Sequence, residues 1–526
     1  MRGRINDGLR CMIGLLIDGL GLAFEIIHRL RIATFAYSQK RLRMRYRIHA
    51  ETPILPYGPE TEQSIHNAAA QYDTAVYAET SGSTAAPKRI LYTKRRLRSA
   101  SRTFIDAFVR CYRAYGIRRK SLYVFSAFDK DNSLSSMLLE EKRLPSYLVT
   151  LQAPYRVEKH PAIRSLSLRY GSTAVRLWIM AIANPGVLYS TNPSTLWLFL
   201  HEIETDWQRS RQLIRDYRNN PDKFDVAIHA IAKRLDSRGS TERMSRIAAA
   251  DDALPLSACA PAVGAYVCWT GGYVKPFLDR IATHLAADRR QLIPMYSMST
   301  ETIETISHFG RSTAAFLPMA KGVLYEFIEE GAPDTPQHLV TPDQLQPMKA
   351  YSMAVSDPYG LRRYQTEDLF LCTGFAGRLP DLRFLRRRNL EYSFTGEKVT
   401  SEQLALVFER LRGERAELPS DAFLTCTPSH PNGDSLPCYM VILVCGSDPD
   451  VTIHENSIAS RCDTLLQEVN SEYRDKRSSG RLAAMRFAQL SFDEFVPHQD
   501  NQFKFLPLYR RTGNRRDRFF NGPKAV

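Results

Sequence analysis

The sequence predicts an α/β protein, with a large N-terminal α/β domain with mixed sheets and a small C-terminal α+β domain. Three observations carry this. Val267-Cys268-Trp269, the turn Thr270-Gly271-Gly272, a helical run from Phe277 to Ala287 and the extended Gln291–Tyr296 spell strand, turn, helix, strand. That is the grammar of a mostly parallel sheet. Beyond the run Arg386–Arg388 the text changes to a helix at 401–411, a strand at Cys438–Cys445, a long helix at 457–475 and a strand at Arg486–Leu490. Near the other end, the alternating Thr74–Ala78 and the extended Arg89–Tyr92 flank a hydroxyl-rich loop, Thr80-Ser81-Gly82-Ser83-Thr84-Ala85-Ala86-Pro87-Lys88.

The elements follow in order. Residues 1–50 read as helical and basic. The stretch Cys11–Ile27 is apolar, but Asp18 and Glu25 interrupt it and it is short for a bilayer, so no stable membrane insertion is expected. Leu15, Ile17, Leu20, Leu22, Phe24 and Ile27 are expected to form the apolar face of a docking helix. Residues 93–115 form an amphipathic helix, and Val124–Ala127 is strand-like. From 134 to 250 the text is mainly helical between prolines, with Ser194 and Thr195 after Pro193 at a helix start. Further strands are expected at Gly322–Ile328, Tyr351–Ser356, Leu369–Thr373 and Leu382–Leu385.

Composition narrows the function classes. At 526 residues, with 44% apolar and 10% aromatic residues, the chain can build two or three domains. Net charge is +15, yet the basic runs are scattered, and no zinc-finger or recognition-helix pattern accompanies them. Solvated faces and attraction to anionic substrates are the reading; no nucleic acid is expected. The nine cysteines lie far apart without a Cys-x-x-Cys pair, which suits reduced thiols in the cytoplasm. No Ser-His-Asp or metal-histidine spacing appears, and the twelve histidines are dispersed.

The loop at 80–88 can turn hydroxyls and backbone N–H groups toward one anion, with Lys88 at its end. A polar surface hairpin explains it as well. The stretch resembles the phosphate loop of the adenylate-forming superfamily, Thr-Ser-Gly-Ser/Thr-Thr-Gly-x-Pro-Lys, with Ala85 in place of glycine. Further stretches fall in the order that superfamily expects. Tyr296-Ser297-Met298-Ser299-Thr300-Glu301 ends in its Thr-Glu, although Glu301 could instead cap a helix start at Thr302–Ile306. Gly360-Leu361-Arg362-Arg363-Tyr364-Gln365-Thr366-Glu367-Asp368 is similar to a block of the plant auxin-responsive acyl-acid amido synthetases, with Glu367 replacing a glycine. Tyr325-Glu326-Phe327-Ile328, Gly396-Glu397-Lys398 and Asn501-Gln502-Phe503-Lys504 resemble the same branch.

The resemblance implies a domain of residues 1–388 that binds ATP and the acyl substrate, and a lid domain of residues 389–526 hinged near Arg388-Asn389. It implies ATP and Mg²⁺ as cofactors. A small carboxylic acid would be activated as acyl-adenylate and transferred to an amine acceptor. Transfer to a thiol (coenzyme A or a carrier protein) and a non-catalytic member of the fold are the alternatives. Carried onto this sequence, Ser81, Gly82, Ser83, Thr84 and Lys88 would hold the polyphosphate. Tyr296 would stack on adenine beside Thr300, Glu301 would hold Mg²⁺, and Asp368 would accept the ribose hydroxyls. Arg387 would reach ribose or phosphate, and Lys504 would add charge to the adenylation transition state.

Overall fold

In the computed structural model the chain divides into two units, one of Met1–Thr80, Pro87–Gly271 and Phe277–Phe384, and one whose long segment is Leu385–Val526. The structure describes residues 2–70, 75–79, 89–117, 121–125, 134, 137, 160–271, 274–285, 291–295, 298–309, 314–388, 391–395, 397–415, 418–419, 422–429, 436–445, 455–491 and 507–509.

Helices α1 (Arg2–Ala33), α2 (Phe35–Arg45) and α3 (Pro59–Ala69) open the first unit. Strands β1 (Ala75–Glu79) and β2 (Arg89–Thr93) then pair antiparallel around the 80–88 stretch, with Ala78 opposite Ile90. The helix expected at 93–115 is α4 (Lys94–Ala114); Thr93 caps it, its hydroxyl accepting from the Arg96 N–H at 3.2 Å. Next come β3 (Leu122–Val124), α5 (Pro161–Tyr170), α6 (Ser172–Ala183), β4 (Val187–Tyr189), α7 (Pro193–Thr205), α8 (Trp207–Asn219), α9 (Val226–Leu235) and α10 (Ser240–Ala249). The βαβ text becomes β5 (Ala265–Cys268), α11 (Lys275–His284) and β6 (Gln291–Pro294).

Strands β3, β4, β5 and β6 form a parallel sheet in that order. Val124, Val187, Val267 and Ile293 lie in one buried cluster with Ala107 and Cys111 of α4. Strand β4 sits inside the stretch read as helical. It has three residues, all buried, and so is too short to show a period.

A second set of strands follows: β7 (Ile306–Phe309), β8 (Ala314–Leu317), β9 (Leu324–Glu329), β10 (Ala350–Ser356), β11 (Tyr364–Ala376) and β12 (Leu379–Arg387). β7 and β8 pair as a hairpin. The other four form a sheet in the order β12-β11-β10-β9, with β10 antiparallel to β9 and β11. Its core holds Phe327, Tyr351, Met353, Tyr364 and Phe370. The mixed-sheet α/β expectation is thus met by one parallel and one antiparallel sheet.

The docking face expected on α1 is not the one that docks. Leu15, Leu20, Leu22 and Ile27 are exposed and Phe24 is half-buried. Gly21 and His28 face the protein instead. A Cβ on Gly21 would lie 2.9 Å from Arg113 Cδ of α4, so the helices approach closely there. Polar partners decide the orientation: Glu25 pairs with Arg113 at 2.8 Å and His28 Nε2 with Asp106 at 2.7 Å. Burial lowers the His28 imidazole from 6.5 to about 4; the Asp106 hydrogen bond opposes this and Arg110 adds to it. The unfolded chain therefore takes up a proton near pH 6.5 that the folded chain resists until about pH 4. This stability is complete above 6.5 and is lost as pH falls through that window. Thermal melts of His28→Gln should show a shallower decline of Tm over that range than wild type; an equal slope refutes the assignment.

The second unit contains β13 (Glu391–Tyr392), β14 (Val399–Thr400), α12 (Ser401–Glu414), β15 (Phe423–Ser429), β16 (Cys438–Cys445), α13 (Glu455–Val469), α14 (Ser471–Ser478) and β17 (Arg486–Ser491). β15 pairs antiparallel and β17 parallel with β16. The long helix expected at 457–475 is two helices, broken at Asn470. Its side chain caps α14, accepting from Tyr473 N–H at 2.8 Å, and donates to the Glu397 carbonyl at 2.9 Å. The Glu397 carboxylate accepts from Phe394 N–H at 2.7 Å, Thr395 N–H at 2.8 Å and Tyr439 Oη at 2.6 Å. Burial raises this carboxyl, but those donors outweigh it and hold it below the usual range.

Candidate active site

Asp368 owes its position to a break in strand pairing. Ser352 faces Leu369, but Ala354 faces Gln365, so Thr366, Glu367 and Asp368 form a bulge opposite one residue of β10. A bulge re-aims side chains that regular pairing would alternate. The Asp368 N–H meets the Thr366 hydroxyl at 3.4 Å, and its side chain is buried.

Thr300 and Glu301 sit in a tight turn, not at a helix start. Ser299 N–H donates to the Thr302 carbonyl at 3.0 Å, Met298 bridges Ile303, and β7 follows. The run Thr302-Ile303-Glu304-Thr305-Ile306 is rich in β-branched residues, which favour extended backbone. The capping role considered for Glu301 therefore falls away. Two side chains from the β2–α4 corner hold the turn. Tyr92 Oη donates to the Thr300 carbonyl at 2.7 Å, and Arg96 Nη2 to the Glu301 carbonyl at 2.5 Å. The buried Arg96 guanidinium also reaches the Leu91 carbonyl at 3.0 Å and lies over the Tyr92 ring at 4.6 Å.

Three carboxylates converge. Glu304 accepts from Ser299 N–H at 3.1 Å. Burial, then the charge of Asp368, then more weakly that of Glu301 push its carboxyl up to about 8 against that hydrogen bond. Motifs far apart in the chain thus place Glu301 and Asp368 each within electrostatic reach of Glu304, all three buried. Among the described residues no three His, Cys, Asp or Glu side chains make a metal cage. Mg²⁺ needs none, since it characteristically takes one or two carboxylates and completes its shell with phosphates and water. Glu301 and Asp368 are donors of the kind such a cation takes.

The Gly360–Asp368 block is anchored by polar contacts. Asp357 Oδ1 accepts from Tyr359 N–H at 2.8 Å and Leu361 N–H at 3.0 Å. Gly360, at φ +110°, presses on α3: a Cβ there would sit 2.6 Å from Ile65 Cα and from the Ser64 carbonyl oxygen. Arg363 forms a two-point pair with Glu326, at 2.9 and 3.0 Å, and donates to the Ala50 and Thr52 carbonyls at 3.1 and 2.6 Å. Two motifs read separately in the sequence, at 325–328 and 360–368, are therefore clamped together.

Of the residues expected at the site, Thr300, Glu301 and Asp368 are described. Arg387 ends β12, and its side chain lies outside the described residues, as does that of Glu367. Ser81, Gly82, Ser83, Thr84, Lys88, Tyr296 and Lys504 lie outside them altogether, with Ala85 and Ser297. Sequence reasoning missed Arg96, counted within a solvated basic run, and Glu304. The signal for Arg96 was its place three residues after the helix cap Thr93, which turns it back over β2.

Residues 316–387 match the GH3 family central domain. The stretch resembles that domain. It contains β9 to β12, hence the Glu326–Arg363 clamp and Asp368. The chain is 24% identical over 316 residues to indole-3-acetic acid-amido synthetase GH3.3 of Arabidopsis thaliana, covering 54% of this chain and 52% of that relative. It is 29% identical over 92 residues to indole-3-acetic acid-amido synthetase GH3.17 of the same plant, covering 18% and 15%. The chain spans about half the length of the first of these relatives. Among solved structures, a GH3.15 acyl acid amido synthetase superposes with a TM-score of 0.69 at 14% identity, covering 92% of this chain and 93% of that one. The likeness to GH3 amido synthetases read from the motifs therefore extends to the fold, with its large N-terminal and smaller C-terminal parts.

Proposed function

We propose that this protein activates a small carboxylic acid with ATP and transfers the acyl group to an amine. The observation that carries this reading is the meeting of Glu301 and Asp368 with Glu304 beside a GH3 central domain. A substrate carboxylate oxygen attacks the α-phosphorus of ATP, and the bond to pyrophosphate breaks. The amine then attacks the acyl carbon, AMP leaves, and the amine proton passes to solvent. Such chemistry asks the protein for positioning and charge stabilisation.

Asp368 accepts the ribose hydroxyls, and Glu301 holds Mg²⁺ with Thr300 beside it. When bound, the cation neutralises charge on the transferring phosphates. Tyr92 and Arg96 fix the turn that aims Glu301. Ser81, Gly82, Ser83, Thr84 and Lys88 receive the polyphosphate, Tyr296 stacks on adenine, and Arg387 reaches ribose or phosphate. Lys504 enters from a small domain of 389–526 that rotates about Arg388 against 1–388 between the two steps. The described cysteines are free and buried, which supports a reducing cytoplasmic setting.

The test is acid-dependent exchange of labelled pyrophosphate into ATP across a panel of carboxylic acids with Mg²⁺. Exchange with at least one acid, followed by amide formation when amines are supplied, is the expected result. Exchange followed by capture only by thiols would move the acceptor to coenzyme A or a carrier protein. No exchange with any acid would overturn the enzymatic reading.

A further inference from the structure

Helix α1 is amphipathic in the reverse sense for a surface helix. Its half-buried Asp18 and Glu25 and its buried His28 lie toward the protein, and Glu25 and His28 hold α4 partners. The exposed Leu15, Leu20, Leu22 and Ile27 are joined by Leu16, Ile26 and Leu30, with Leu15 68% and Leu30 60% exposed. At roughly 100° per residue these side chains sweep one side of the helix, over a length of about 24 Å. Other exposed large apolar residues on the unit, such as Leu168, Val226 and Met348, are isolated in the chain. Single exposed leucines need no explanation, whereas a continuous face does.

Positive charge predominates beside that face. Arg29, 74% exposed, borders it and pairs with the partly exposed Glu25 at 2.8 Å. After Thr34 the chain enters α2, which has no acidic residue and exposes Lys40, Arg41 and Arg45 beside Tyr37 and Met44. The whole chain carries +15. Two copies meeting through this face would bring the α2 cations of both together, and α2 has no acidic residue to offset them. An anionic surface supplies the counter-charge and takes up the leucines at once.

We infer that α1 and α2 seat the protein on an anionic lipid surface, with the leucine face of α1 in the interfacial layer. Among the described residues no helix is long and apolar enough to cross a membrane, so this is peripheral seating. It does not depend on the catalytic reading.

The test is vesicle flotation of the full chain, using phosphatidylcholine alone and about three parts phosphatidylcholine to one part phosphatidylglycerol. Wild type should float with the anionic vesicles and stay below with the neutral ones, and should be released at about 0.5 M NaCl. Leu16→Ser/Ile26→Ser/Leu30→Ser should bind about tenfold or more weakly, because interfacial affinity scales with buried apolar area. These positions face solvent, so circular dichroism should be unchanged. Lys40→Glu/Arg41→Glu/Arg45→Glu should also detach while keeping the leucine face. Failure of wild type to float, equal flotation with both vesicle types, or unchanged binding of either variant would overturn the proposal. So would a wild-type dimer in light scattering that the serine variant converts to monomer, since a second copy would then be the occupant.

Discussion

Glu326→Ala is expected to destabilise the first unit by about 3–5 kcal/mol, the usual cost of leaving one member of a buried ion pair alone. The Arg363 side chain is 2% exposed and that of Glu326 1%. Its Nε and Nη2 would lose both carboxylate oxygens, and the Ala50 and Thr52 carbonyls would remain as neutral partners. Arg43, which reaches Glu326 Oε1 at 2.9 Å, would lose its partner too. Arg363 also has φ +41°, a left-handed backbone that a non-glycine residue holds only when surrounding contacts fix it. Such a loss is a large share of the roughly 5–15 kcal/mol stability of a typical protein. Urea melts followed by tryptophan fluorescence measure it. Glu326→Gln/Arg363→Met, which removes both charges, should recover part of the loss; a double variant worse than Glu326→Ala would show that the pair is not what holds these strands.

Glu301→Gln is expected to lower acid-dependent pyrophosphate exchange about 10²–10³-fold, the typical effect of removing one charge-stabilising contact. The fold should tolerate it. Arg96 grips the Glu301 backbone carbonyl, which the substitution leaves in place. Removing the Glu301 charge also eases, weakly, the cost of ionising Glu304, so Tm should hold or rise slightly. Loss of exchange with an unchanged or higher Tm is the expected pair of results. Wild-type exchange would take Glu301 out of the site, and a fall in Tm would mean that its carboxylate has a structural role.

Elements with strong local signals were readable from the sequence. The apolar run Cys438–Cys445 is β16 at both ends, and the βαβ text around Gly271 became a parallel sheet. What escaped was decided by distant partners. β15, Phe423–Ser429, mixes threonines, a proline and a serine, and its identity as a strand comes from pairing with β16. The break at Asn470 depends on a carbonyl 73 residues away, at Glu397. At the site, Glu301 and Asp368 were visible as motif residues. Glu304 was not, because its significance lies in the company of two carboxylates that only folding assembles. Arg96 looked like one more cation in Lys94-Arg95-Arg96, and its place three residues after the cap Thr93 was the local hint that this side chain turns inward.

The clamp around Arg363 also sets a timetable for synthesis. The Ala50 and Thr52 carbonyls it binds lie 313 and 311 positions earlier in the chain, and Leu55 bridges the neighbouring Tyr364. A ribosome adding about 5–20 residues per second needs about 15–60 s to cover that distance. For most of that interval the 50–55 segment is outside the exit tunnel with its final partners not yet made, and the α1 sequence precedes it. The nascent chain is therefore most open to capture by chaperones, or by a nearby lipid surface, before residues 316–387 have been translated.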